Sequence, residues 1–204
     1  MEVTRLALWA IDPRQAPPAP APRLPAGLGE IGAPLAGPLV RAMGPDGGMV
    51  AARLARGCRC FAARLDGEVV AFAWVSTGTE WIGEIGATIR LPAGEAYVWN
   101  CVTLPGHRRQ RLYTALLGAV TAALRHEGAS RLWVATLLDL PHAGRGVATA
   151  GFRPALTVTC LSAAGVRVRW AAAGRGAGRE LVSAGRRALG GRLLAGAAGR
   201  RPLH

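Results

Sequence analysis

The strongest chemical signal in this sequence is a cluster of cations at a change of periodicity. Arg108, Arg109 and Arg111, preceded by His107, stand between residues 96–103, which are mostly apolar with two aromatics, and a run whose apolar positions fall at Leu112, Leu116, Ala119 and Ala123. The first run has the character of a buried strand and the second has helical spacing. The first turn of a helix leaves main-chain N–H groups without intrahelical partners, and the macrodipole adds about half a positive charge there. A phosphate is the natural ligand of such a turn, so the segment predicts an anion cradle. The plainer alternative is an ordinary crossover whose arginines are merely solvated. A dinucleotide site is disfavoured because no Gly-x-Gly-x-x-Gly follows the strand.

The flanking elements must hold that turn in place. Gly128 ends the helix, with Arg125 and His126 in its last turn, where cations suit the dipole. Residues 131–137 form another apolar strand, which completes a βαβ unit with a right-handed crossover and parallel strands. Ala143 to Ala150 fits a short helix ended by Gly151, and Phe152–Leu161 with Val166–Trp170 forms a terminal hairpin. Upstream, Asp66-Gly67 separates strands Cys58–Leu65 and Glu68–Ser76. This is a strong hairpin signal, and the second strand, apolar on both faces, belongs in the middle of a sheet. Gly78 to Glu84 is a turn-rich break before a strand over Ile85–Leu91.

At the N-terminal end, Val3 to Ile11 suits a first strand, and Pro13 to Pro25 carries too many prolines for a helix or a central strand. Leu35–Met43 and Met49–Arg56 are helix candidates, the second with Asp46 as its cap and Gly57 at its end. Residues 1–12 are thus a first strand, 13–34 a proline-rich linker, 35–170 the main domain and 171–204 an Arg/Gly/Ala-rich tail. In the tail, Leu181, Ala184, Ala188 and Leu193 can line one face of a basic amphipathic helix across Arg179–Leu194, and its composition favours disorder or loose docking over a membrane or nucleic-acid anchor.

A chain of 204 residues can bury one sizeable core. The formal net charge of +13 comes from arginine alone, with no lysine, beside abundant Ala and Gly. That joint bias is compositional rather than a sign of a nucleic-acid or membrane partner, and no specific nucleic-acid motif is present. Cys58, Cys60, Cys101 and Cys160 show neither Cys-x-x-Cys spacing nor disulfide density, as expected for buried thiols in a reducing compartment. The first residues lack a signal-peptide run and no span is apolar enough for a membrane. The expectation is a cytoplasmic protein, monomeric or homodimeric, with no metal.

The order of strand, basic loop, helix, strand, short helix and Gly151-Phe152 resembles the GNAT superfamily of N-acetyltransferases, whose pyrophosphate loop reads Arg/Gln-x-x-Gly-x-Gly/Ala. The matching stretch is Arg108 to Tyr113, after Pro105. Arg111 stands where the pattern has its first Gly and Tyr113 where it has its second small residue. The resemblance implies an α/β fold (α+β in layer terms), with a mixed, mostly antiparallel central sheet, one parallel pair and a βαβ unit that binds acetyl-CoA. It implies that the main chain of Cys101, Val102 and Thr103 holds the pantetheine arm by strand-like pairing. It also implies that Arg108, Arg109, Gln110, Arg111, Leu112 and Tyr113 hold the pyrophosphate. If Arg111 is left-handed, it carries a cost of about 1 kcal/mol that glycine would avoid.

The implied activity is acetyl transfer from acetyl-CoA to a primary amine of a small molecule or a peptide. Such a reaction needs a neutral amine, a stabilised oxyanion and a proton for the departing thiolate. The family often supplies that proton from a Tyr four residues before its Gly-Phe, and Val147 stands there. Its Asn near the start of the same helix is also not reproduced by Leu140 or His142. Glu84 is the candidate base, acting through water, although a solvated turn carboxylate is the ordinary alternative. Asn100 and Tyr97 are candidates to orient the acceptor. A phosphate role suits His107 better than proton transfer, and Cys101 lacks a His-Asp partner for nucleophilic work. The opposing reading is a non-catalytic acyl-CoA-binding or regulatory domain.

Overall fold

The structure is a computed structural model that describes residues 1–32, 36–190 and the backbone of 196–197. Its centre is one twisted sheet. In chain order the strands are β1 (Glu2–Ile11), β2 (Gly27–Glu30), β3 (Arg59–Leu65), β4 (Glu68–Thr77), β5 (Thr79–Ile82), β6 (Ala87–Arg90), β7 (Glu95–Thr103), β8 (Arg131–Leu137), β9 (Arg153–Ala163), β10 (Val166–Ala173) and β11 (Gly196–Ala197). The helices are α1 (Ala36–Met43), α2 (Val50–Ala55), α3 (Leu112–His126), α4 (Pro141–Thr149) and α5 (Arg179–Ala188). The large sheet runs β11-β10-β9-β1-β8-β7-β4-β3-β2, and β5 and β6 pair separately. Only β7 and β8 are parallel, Glu95–Val98 lying against Arg131–Val134, while the other pairs are antiparallel. This is the mixed sheet with one parallel pair that the sequence implies.

Residues alternate between the two faces of the sheet, and each face has its own core. On one face, Leu116 and Val120 of α3 and Val147 of α4 pack with Val98 and Val134 of the sheet and with Phe152. On the other, α1 and α2 lie over Cys60, Phe72 and Trp74, while α5 and the β5–β6 ribbon lie over Leu8, Trp133 and Leu156. β4 is interior and buried from Val69 to Ser76, in keeping with its two apolar faces.

Several local expectations change. Thr79–Ile82 is strand rather than turn, because it pairs with β6. Asp46 does not cap α2; it lies in the 3-10 turn Gly44–Met49 that leads into it. The linker contains β2 at the sheet edge. The first part of the expected loose tail is ordered: β10 extends to Ala173, and α5 buries Ala184, Ala188 and the following Leu189. Gly185 makes that approach possible, since a Cβ there would stand 3.0 Å from Leu156 Cδ1. The rest of the tail, 191–195 and 198–204, lies outside the described residues.

Between β1 and β2 the proline-rich segment forms no regular element after the turn Pro13–Gln15, yet it is docked. A Cβ on Gly151 would stand 2.5 Å from Pro17 Cδ, and one on Gly118 in α3 would overlap the Ala19 methyl. Arg23 N–H then donates to the Gln110 carbonyl at 2.9 Å. The segment is a strap laid along α3 from its middle to the basic turn.

Candidate active site

The site begins where the parallel pair ends. β7 and β8 are hydrogen-bonded only as far as Val98 and Val134, although both strands continue. Beyond that point β7 pairs with β4 on its outer side and β8 with β1 on its own, so the two diverge and leave an opening between Trp99–Thr103 and Ala135–Leu137. The divergence coincides with a β-bulge: between Phe72 and Trp74 of β4, β7 advances from Val102 to Trp99, one residue more than its partner. Asn100, at φ +44°, takes the left-handed conformation that the extra residue needs. Residues Trp99 to Thr103 are all half-buried.

The turn after β7 is the segment expected to cradle an anion. Arg109 and Arg111 have φ of +63° and +59°, and Arg111 immediately precedes the first turn of α3. Arg111 therefore adopts the glycine-type conformation despite its side chain. Among the described residues, none of the N–H groups from Arg109 to Thr114 has a hydrogen-bond acceptor, and the first ladder bond is Ala115 N–H to the Arg111 carbonyl at 3.0 Å. Arg108 folds back, its Nε donating to the Thr103 carbonyl at 3.4 Å. Arg108, Arg109 and Arg111 are exposed, while Leu112 is buried in the core below. Unpaired donors, a helix N-terminus and three cations thus share one turn, as an anion site requires.

Tyr113 is directed away from that turn toward α4. A Cβ on Gly146 would lie 2.7 Å from its Cδ1, so the glycine makes room for the ring. Burial, with the nearby Cys101 and Tyr97, raises the Tyr113 pKa well above that of a free phenol. Val147, the next residue of α4, is fully buried in the core and presents no proton donor.

On the opposite face the bulge meets a polar cluster that the sequence did not reveal. The Arg53 guanidinium of α2 lies 5.1 Å from the Trp74 ring centre and 4.7 Å from that of Trp99. The Asn100 side-chain oxygen, in the orientation that satisfies both groups, accepts from Arg53 Nη1 at 2.7 Å and Nη2 at 3.2 Å. Trp99 Nε1 donates to Ser76 Oγ at 2.8 Å, and Ser76 Oγ donates to Glu80 Oε2 at 2.7 Å. The same Glu80 oxygen pairs with Arg56 at 2.9 Å. Trp74 Nε1 is buried with no partner among the described residues. These contacts join residues distant in sequence, so no local spacing foretells them.

Of the two proposed catalytic residues, Asn100 lies at the bulge and engages Arg53. Glu84 lies exposed in the turn between β5 and β6 and has no hydrogen bond among the described residues. Its charge is near enough to add to burial in pushing the Tyr97 phenol pKa well up. Glu80 is the buried carboxylate of that ribbon, and its oxygens are occupied by Arg56, Ser76 and Trp81 N–H. Cys101 Sγ donates to the Trp99 carbonyl at 3.8 Å, and burial pushes its thiol pKa up to about 12. Burial thus favours the thiol over the thiolate at this position.

Strands that part beside a left-handed basic turn define a protein class as well as a site. The model of the acetyltransferase (GNAT) family matches residues 42–152, and the chain belongs to that family. Similar solved structures include a protein described as a GNAT-family acetyltransferase from Novosphingobium aromaticivorans, at 21% identity and TM-score 0.52, over 78% of this chain and 63% of that one. A GCN5-related N-acetyltransferase from Sphaerobacter thermophilus matches at 15% identity and TM-score 0.53, over 76% and 49%. An acetyltransferase from the GNAT family of Colwellia psychrerythraea matches at 12% and 0.57, over 78% and 56%. The chain thus spans between about half and two thirds of the length of these proteins, and the likeness is one of fold. No curated protein matches the sequence. No described helix is long and apolar enough to cross a membrane.

Proposed function

We propose that the protein is an N-acetyltransferase that moves an acetyl group from acetyl-CoA to a primary amine of a small molecule or a protein. The observation that supports this most directly is the run of acceptorless N–H groups from Arg109 to Thr114, beside the opening between β7 and β8. Donors in this geometry suit a pyrophosphate, with Arg108, Arg109, Gln110, Arg111, Leu112 and Tyr113 around it. The main chain of Cys101, Val102 and Thr103 borders the opening and suits an amide-bearing arm that adds as a strand.

Acetyl-CoA supplies an activated thioester, and the residues of the chain orient the acceptor beside it. Asn100, half-buried at the bulge, is the residue proposed to orient the acceptor; Tyr97, the other candidate, is buried in the core on the β5–β6 face, so it acts only by supporting β7 from beneath. Glu84 is the proposed base, deprotonating the ammonium form of the acceptor through water from its exposed turn. With Val147 aliphatic and buried, the departing thiolate takes its proton from solvent. That same feature favours the alternative of a domain that binds acyl-CoA without turning it over.

Calorimetric titration with acetyl-CoA followed by a free-thiol assay over a panel of amines separates the two. Thiol release with some amine, abolished in Glu84→Gln, is expected for the enzyme. Tight binding with no thiol release from any amine establishes the alternative, and no binding at all refutes both.

A further inference from the structure

Beside the cradle is an open depression of about 550 Å³ lined by Arg23, Pro105, Gly106, Arg108, Arg109 and Gln110. Five of these residues belong to the loop. Arg23 does not: it is carried by the strap from the other end of the sequence. The lining has three guanidinium groups and no acid, and Arg23 makes no ion pair among the described residues.

We propose that the strap forms one wall of the coenzyme site and that Arg23 is a ligand for a phosphate of the coenzyme's nucleotide end. The inference rests on the reading of the adjoining turn as a coenzyme cradle. Three features place Arg23 for this role. Its own N–H is tied to the Gln110 carbonyl at 2.9 Å, within the loop itself. The strap is held against the molecule where Gly118 and Gly151 have no side chain to push it off. The proline run that precedes Arg23 restricts the backbone to an extended form before anything binds, so little ordering accompanies capture of the ligand. Three like charges with no carboxylate among them repel one another when the depression is empty and are neutralised together by a polyanion.

The test uses calorimetry of the full chain with coenzyme A and with pantetheine, which lacks the phosphates. Arg23→Ala keeps the main-chain bond to Gln110, so its effect reports the guanidinium alone. It is expected to weaken coenzyme A about five- to tenfold, to leave pantetheine unchanged and to flatten the salt dependence of coenzyme A binding. Gly118→Leu, which forces the strap off α3 with Arg23 intact, is expected to cause a similar loss. Unchanged coenzyme A affinity in Arg23→Ala, with a clear loss in a double Arg108→Ala, Arg111→Ala variant, overturns the role of the strap and leaves the cradle standing. Unchanged affinity in both removes the cradle reading and this inference with it. Wild-type affinity in Gly118→Leu refutes positioning by the strap.

Discussion

Arg111→Gly tests whether the cradle trades backbone comfort for charge. Arg111 is exposed, so replacing it removes little packing, and its φ of +59° is the quantity at issue. A left-handed conformation costs an L-residue about 1–2 kcal/mol, and glycine escapes that cost. Glycine in turn loses about 0.5–1 kcal/mol more chain entropy on folding. The net expectation is a gain of roughly 0–1.5 kcal/mol, which for a chain of this length is a rise in Tm of about 0–5 °C. Arg111→Ala keeps the strained backbone and relieves like-charge repulsion at the helix N-terminus, so it should melt at or slightly above wild type. The Gly-minus-Ala difference isolates the backbone contribution. Thermal melts and coenzyme A titrations on both variants give the two halves of the argument. Both should bind coenzyme A more weakly for want of the guanidinium, the glycine variant less so because its main chain can approach a phosphate more closely. An Arg111→Gly protein less stable than Arg111→Ala would refute the left-handed assignment. Unaltered coenzyme A affinity in both variants would refute the role of the charge.

Glu95 is buried between Arg131, at 2.7 Å, and Trp133 Nε1, at 2.6 Å; Glu95→Ala strands the buried Trp133 N–H and leaves Arg131 with Glu180 alone, at 2.8 Å, and should cost about 2 kcal/mol in denaturant unfolding, while a loss under 1 kcal/mol would mean that water replaces the carboxylate. Arg59 holds Glu30 and Glu127 together at the ends of β2, β3 and α3 and lowers the Glu127 pKa below its ordinary 4.5. Because the folded value is the lower one, this contribution is complete above pH 4.5 and fades as pH falls through the folded value. Arg59→Ala should therefore narrow its stability gap to wild type between pH 6 and pH 3, and a constant gap would show that the pair contributes no such pH dependence. Removing everything after Ala173 strips Ala184, Ala188 and Leu189 from the core beneath α5 and should lower stability by about 3 kcal/mol; an unchanged Tm would mean that α5 only rests on the surface. Burial holds the Cys60 and Cys101 thiols up at about 12, so neither should be alkylated by iodoacetamide in the folded state at pH 7.5, whereas prompt labelling of Cys101 would reveal an opening wide enough to ionise it.

The strand–turn–helix junction was legible because two periodicities meet there: a strand whose apolar character ends at Thr103 and a helix whose spacing begins at Leu112 leave only a basic turn between them. Asp66-Gly67 announced its hairpin for the same local reason. Features set by partners distant in sequence were not legible. β5 is four residues long and bounded by Gly78 and Gly83, so only its pairing with β6 makes it a strand. The proline run declared an extended conformation and said nothing of the helix it would lie on, since the receiving residues are Gly118 and Gly151, which present no side chain to read. The stripe of Leu181, Ala184 and Ala188 showed that a helix could start at Arg179, but not that it docks: the close fit depends on Gly185, which leaves room for Leu156. The clamp of Arg53 between Trp74 and Trp99 unites three elements and has no spacing signature at all.

The bulge at Asn100 acts on β7 as a change of parity. Before it, even-numbered residues Ala96 and Val98 face α3, and odd-numbered Tyr97 and Trp99 face the other side. After it the assignment inverts, with Cys101 facing α3 and Val102 packing with the α1 layer. Position 100 is therefore the extra residue that reconciles the two halves, and its conformation matters more than its side chain. Asn100→Gly keeps the count and suits the positive φ, so the fold should accept it even as Arg53 loses its acceptor. Deleting Asn100 restores regular pairing with β4 while every other residue of β7 keeps its face, so what is lost is the left-handed kink and the acceptor for Arg53. The extra residue therefore serves the opening more than the core: its loss would leave both faces of β7 packed while removing the kink that sits where β7 parts from β8.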